Sequence, residues 1–104
     1  QSAAVQAQAC WAVWNLAADN DEIKAALMRQ GAGAKVLRAM DAHQGHALVQ
    51  EKGCGAIKAL ARVAALRPDL LRLGAGGAVD RALAQHGDHS GVTTWGRKAR
   101  ARLD

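Results

Sequence analysis

The segment VQAQACWAVWNLA, from Val5 to Ala17, returns as VQEKGCGAIKALA from Val49 to Ala61 and more loosely as VTTWGRKARARL from Val92 to Leu103. The segment between repeats too: RQGAGAKVLRAM, Arg29 to Met40, becomes RLGAGGAVDRAL, Arg72 to Leu83. Val5, Val49 and Val92 set the intervals at 44 and 43 residues. A unit of that length cannot enclose a core alone, so it must stack on its neighbours and bury its apolar face against them. Stacked units of this kind offer extended surfaces to macromolecular partners.

At 104 residues the chain is one domain near the small end of what buries a useful core. It has no Phe or Tyr and three Trp, so Ala, Leu and Val must supply most of the packing. Ala favours helix and lets neighbouring backbones approach closely. Cys10 and Cys54 occupy equivalent repeat positions and read as small buried hydrophobes; spacing alone leaves a disulfide open, but nothing else suggests a stapled secreted domain. No leader-like start and no long apolar run is visible, which points to a cytoplasmic or nuclear protein without a membrane partner.

Periodicity and punctuation predict a long helix, then short, medium, long, short, medium and long. The first runs from Val5 to about Ala18 with Val5, Ala9, Ala12, Val13 and Leu16 on its apolar stripe. Asp19 or Asn20 caps the next, and Asp21 and Glu22 favour its positive end. That short helix carries Ile23, Ala26 and Leu27 and stops at Gly31; a medium one follows from about Ala34 to Ala42, turning Val36, Leu37 and Met40 inward. The next long helix restarts near Ala47 after the Gln44-Gly45 turn. In the following unit Pro68 suits a first helical turn and Gly74 matches Gly31.

This order resembles the armadillo repeat family, with three helices per unit, a Gly-containing turn between the first two and a long third helix. Within ACWAVWNLA, Trp11 and Asn15 lie four residues apart as in the family's third-helix signature. HEAT repeats, with two helices per unit, are the nearest alternative. The resemblance covers essentially the whole chain and implies an all-α, right-handed α-solenoid of armadillo-type three-helix repeats. Residues 1–18 form an isolated third helix, and 19–63 and 64–104 are two full repeats. It further implies a protein-interaction module whose partner lies along the third helices, with no catalytic, cofactor or metal role.

Facing that surface with Trp11 and Asn15 brings Lys52, Gly55, Ala59 and Arg62 onto the second stripe and Trp95, Lys98 and Arg102 onto the third. Nuclear-import receptors of the family repeat the Trp-Asn pair to hold basic peptides; here Gly55 and Ala59, then Lys98 and Arg102, stand at the matching places. The catenin branch, whose grooves are basic, is closer. The expected site is therefore Trp11, Asn15, Lys52, Arg62, Trp95, Lys98 and Arg102, and the expected partner an acidic extended peptide. Trp14 is expected to point elsewhere, into the core or onto a neighbouring unit.

Net charge is +5, with Arg97, Lys98, Arg100 and Arg102 concentrated in the last helix. Nucleic-acid binding through that helix is the second reading, with Trp95 available for stacking. A third is a purely structural or regulatory role inside a larger protein. Arg97 and Arg100 replace residues that are apolar in the earlier copies, as a terminal unit needs. The first helix shows no such change, so the chain reads as the C-terminal part of a longer array, with self-association through the uncapped N-terminal end as an alternative. His43 and His46 recur as His86 and His89, but the repeat itself explains this and no cysteine is near either pair in sequence. GAGAK, Gly31 to Lys35, lacks phosphate-loop spacing and returns as the helix connection GAGGA, so no catalytic constellation is expected.

Overall fold

The computed structural model describes residues 2–104. Helices α1 (Ala3–Ala17), α2 (Asp21–Arg29), α3 (Ala32–Ala42), α4 (Ala47–Ala61), α5 (Arg67–Arg72), α6 (Ala75–Gln85) and α7 (Ser90–Leu103) follow in order, with a 3-10 turn at Ala64–Leu66 before α5. No strand occurs among the described residues, so the protein is all-α, with helices in the expected long, short and medium order. No helix among those residues is long and apolar enough to cross a membrane.

Local chemistry explains where each helix starts. Ser2 Oγ accepts from the Val5 N–H at 3.1 Å, and Asn20 Oδ1 from the Ile23 N–H at 3.0 Å. Each cap satisfies a donor that the first turn leaves without an intrahelical partner. Pro68 sits in the first turn of α5. The reversals into α3 and α6 run through Gly31 and Gly74 at φ 86° and 101°, a left-handed conformation in which a side chain would be strained.

The core is assembled around α4, which lies against both α1 and α7. Val49, Cys54, Ala56, Ile57 and Leu60 of α4 are wholly buried, and α7 adds Val92, Ala99 and Leu103. Small residues set how near the helices approach. A Cβ on Gly53 would lie 2.6 Å from Met40 Cγ, and one on Gly96 would lie 2.7 Å from Leu83 Cδ2. The two contacts are 43 residues apart on both sides, so the packing follows the sequence period. Val36, Leu37 and Met40 turn inward as expected.

Two expectations are corrected. On α1 the buried side chains are Ala7, Cys10 and Ala17, whereas Val5 and Leu16 are each 56% exposed and Ala9 and Ala12 are exposed. The physical reason is that α1 turns its small-residue face to α4, leaving the Val5 to Leu16 stripe outward. On α2, Ile23 is exposed and Lys24 is buried, its Nζ 3.2 Å from Asp21 Oδ1. One period later Arg67 also turns inward, its Nε donating to the Ala61 carbonyl at 2.6 Å. A long cationic side chain at this position turns inward, and its polar end meets a carboxylate of the same short helix at Lys24 and the last carbonyl of α4 at Arg67.

Both cysteines are free. Burial pushes the Cys10 thiol up to about 11 and the Cys54 thiol up to about 12, so neither supplies a thiolate at neutral pH. Native protein at pH 8 is expected to resist iodoacetamide at both positions and to take up two labels only once urea unfolds it. Rapid labelling of folded protein, followed by mass spectrometry, would contradict the buried packing.

A candidate interaction face on the long helices

The three long helices share one face, and Trp14 organises it. Its ring lies over the backbone of α4 at Gly55, where a Cβ would fall inside the indole. From there it reaches α7, meeting Trp95 edge-on with ring centroids 4.6 Å apart at 70°. Such a T-shaped pair places the positive edge of one ring against the negative face of the other. Trp14 thus packs against the core, as one of its two expected placements had it, and at the same time borders this face. The missed signal was Gly55 itself: a glycine inside a helix weakens it unless something must come close.

Lysines line these rings. Lys52 Nζ lies 5.4 Å from the Trp11 centroid and 5.9 Å from that of Trp14, while Lys58 and Lys98 Nζ lie 5.2 and 5.0 Å from Trp95. These are cation–π distances, with Trp14, Trp95, Lys52 and Lys58 half-buried and Trp11 and Lys98 exposed. Of the expected residues, Trp11, Lys52, Trp95 and Lys98 therefore come together on one face. Lys58 belongs with them and was absent from the expected set, because it occupies the repeat position of Trp14 and no basic pattern marked it.

The remaining expected residues divide. Arg102 is half-buried, and its Nη1 donates to the Lys58 carbonyl at 3.0 Å, so it also satisfies the end of α4. Arg67 donates to the neighbouring Ala61 carbonyl and Arg62 carbonyl, which leaves that helix terminus held by two guanidiniums. Arg62 is exposed at the end of α4 and lines an open polar hollow with Asp19, Asp21, Glu22 and Lys24. Asn15 is exposed and makes no side-chain hydrogen bond among the described residues.

Charge on the face is uneven. Lys52 Nζ is 3.0 Å from Glu51 Oε2, so its charge is matched. Lys58, Arg62, Lys98 and Arg102 pair with no carboxylate among the described residues. Burial, followed by the Arg102, Lys98 and Arg62 charges, holds the Lys58 ammonium below the ordinary lysine range. Arg100 differs, with Nε 3.5 Å from Asp80 and 3.7 Å from Asp104 carboxylate oxygens.

The histidines have other roles. His86 Nε2 is 2.7 Å from the Gln44 carbonyl oxygen, tying one turn to its counterpart, and His89 Nδ1 accepts from the Val92 N–H at 3.2 Å at the start of α7. Among the described residues, no three His, Cys, Asp or Glu side chains are grouped to hold a metal ion. No family model, curated protein or solved structure matches this chain significantly.

Two measurements probe this geometry. Gly55→Ala should gain up to about 1 kcal/mol in helix propensity but lose about 1–3 kcal/mol to overpacking against Trp14. Urea unfolding is therefore expected to show a net loss, and a stabilised variant would mean that Trp14 lies elsewhere. For Lys58, a lowered folded-state pKa means that the folded chain holds the proton less tightly than the unfolded chain. Its contribution to stability is unfavourable at neutral pH, and that penalty fades as pH rises through the ordinary lysine value. An NMR titration of lysine side chains should place Lys58 below free lysine, and Lys98→Met should move it upward.

Proposed function

We propose that the chain is an armadillo-type helical repeat module that binds an acidic, extended protein segment across the face of α1, α4 and α7. The observation that carries this reading is the gathering of Lys98, Arg102 and Arg62 around Lys58, with Lys58 and Lys98 against Trp95 and none of the four in a salt bridge among the described residues. Like charges held together repel, and an anionic side chain placed between them lowers that energy while forming charge-assisted hydrogen bonds. The repeat period, the helix order and the turns at Gly31 and Gly74 support the family assignment.

The partner is read in two parts. Its acidic residues meet Lys58, Lys98 and Arg62, while apolar or amide groups meet Trp11, which is 44% exposed, and Asn15. Lys52 contributes less charge, because Glu51 already matches it, and acts chiefly to support the Trp11 and Trp14 rings. Arg102 has a double role, since it also holds the end of α4. Nucleic acid remains the competing ligand for the same cations, although Trp95 already meets Trp14 and two ammonium groups and offers little free ring for stacking.

A fluorescent Glu-rich peptide titrated against the full chain should bind, and Lys98→Glu and Arg62→Glu should each weaken it about tenfold or more, as expected for a charge-assisted contact worth about 1.5–3 kcal/mol. Both side chains are exposed, so the variants should keep the wild-type melting temperature. Affinity unchanged by either substitution would sink the reading. Tighter, steeply salt-dependent binding to random single-stranded DNA would transfer the face to nucleic acid.

A further inference from the structure

Lys58 is a half-buried amine with cations on every recorded side. Its Nζ and that of Lys98 stand 5.2 and 5.0 Å from the centroid of the same Trp95 ring. Arg102 reaches across from α7 and donates from Nη1 to the Lys58 carbonyl at 3.0 Å, and Arg62 lies about one helical turn further along the chain. None of these four side chains is in a salt bridge among the described residues. The remaining lysines are placed differently. Lys24 is buried with Nζ 3.2 Å from Asp21 Oδ1, Lys52 Nζ is 3.0 Å from Glu51 Oε2, and Lys35 is exposed on α3.

This setting acts on the amine in two ways. The Trp95 face attracts either ammonium, but two positive charges at one ring repel each other; when Lys58 gives up its proton, Lys98 keeps the ring and the repulsion disappears. Burial and the neighbouring charges work in the same direction and hold the Lys58 ammonium below the ordinary lysine range. The neutral amine so favoured is a nucleophile, which an ammonium is not. The second effect falls on any anion formed at this nitrogen, since it would arise among Lys98, Arg62 and Arg102. Arg102 uses Nη1 on the Lys58 carbonyl and has Nε and Nη2 besides.

We propose that Lys58 is a carbamate-forming site, at which dissolved carbon dioxide adds to the side-chain amine and the resulting carboxylate is held by Lys98, Arg62 and Arg102. The ammonium first releases a proton to water. The Nζ lone pair then attacks the carbon of carbon dioxide, an N–C bond forms, and the electron pair of one C–O π bond moves onto oxygen. A second proton leaves Nζ for water, which gives the carbamate; nothing is oxidised or reduced and no leaving group departs. The side chain passes from a single positive to a single negative charge, so three neighbours that repelled it become its counter-ions, with charge-assisted hydrogen bonds to the new oxygens. An ordinary exposed lysine is almost wholly protonated at neutral pH and offers such a product no partner. The cluster around Lys58 removes both obstacles. Addition of carbon dioxide needs no partner protein, so the site stands independently of the acidic-segment reading.

The test equilibrates the full chain with isotope-labelled bicarbonate at mildly alkaline pH and fixed ionic strength, traps carbamates as esters with a trialkyloxonium reagent, and maps the label by mass spectrometry of peptides. Lys58 should carry severalfold more label than Lys35 in the folded chain, and urea should erase that preference by dispersing the cluster. Lys98→Met and, independently, Arg62→Gln should each lower the label at Lys58 about twofold or more, the worth of one solvent-exposed ion pair. Both substituted side chains are exposed, so the changes leave the core packing alone. No label at Lys58, or as much at Lys35 as at Lys58 in the folded chain, would overturn the proposal. So would a yield at Lys58 that neither substitution lowers, since the carboxylate would then owe nothing to the cations around it.

Discussion

The structure of the long-helix face depends on an absence, the side chain that Gly55 lacks. Because α4 presents bare backbone there, the Trp14 indole crosses it and touches Trp95 on the far helix. One aromatic bridge thus couples the first and last long helices through a contact that no pair of adjacent units supplies. It also sets where cations stand. Lys52 approaches Trp14 and Trp11, and Lys58 and Lys98 approach Trp95, so three ammonium groups take positions from two joined rings. Gly55 costs helix propensity, and the Trp14 burial it permits offsets that cost.

Electrostatics then divides the face. At the Lys52 end a carboxylate is at hand and the charge is matched; at the Lys58 end cations gather at a helix C-terminus, with Arg62 facing the hollow that Asp19, Asp21 and Glu22 also line. The negative end of a helix favours nearby cations, and Arg102 and Arg67 use it by donating to its last carbonyls. That attraction explains how so many positive groups gather despite repelling one another. It satisfies guanidinium donors of Arg102 and Arg67, while Lys58, Arg62 and Lys98 keep donors directed to solvent.

How far this was legible from the sequence varies with how directly each property depends on spacing. Helix order, the caps at Asn20 and Pro68, and the glycine turns follow from local chemistry, and the repeated strings exposed them. The choice of buried face on α1 did not. Both of its stripes are apolar, Ala3-Ala7-Cys10-Trp14-Ala17 and Val5-Ala9-Ala12-Leu16, and periodicity alone cannot say which one meets α4. The larger aliphatic residues suggested the wrong one: the close approach to α4 is made by Ala7, Cys10 and Ala17, and the one large side chain on that stripe, Trp14, fits because Gly55 leaves the backbone bare. Trp11, Lys52, Trp95 and Lys98 were found by register. Lys58 was not: it holds the register position of Trp14, off the stripe traced from Trp11 and Asn15, and meets Trp95 on the neighbouring helix instead. Buried Lys24 escaped for a similar reason: its role appears only once α2 folds back beside the end of α1.

The two ends of the helix stack obey different rules. On α7 the position matching Cys10 and Cys54 is Arg97, which is exposed, while the one matching Val13 and Ile57 is Arg100, which meets Asp80 and Asp104. That end is polar, and its Arg100 is matched by two carboxylates. The α1 end keeps Val5, Ala9 and Leu16 in the register that is buried elsewhere.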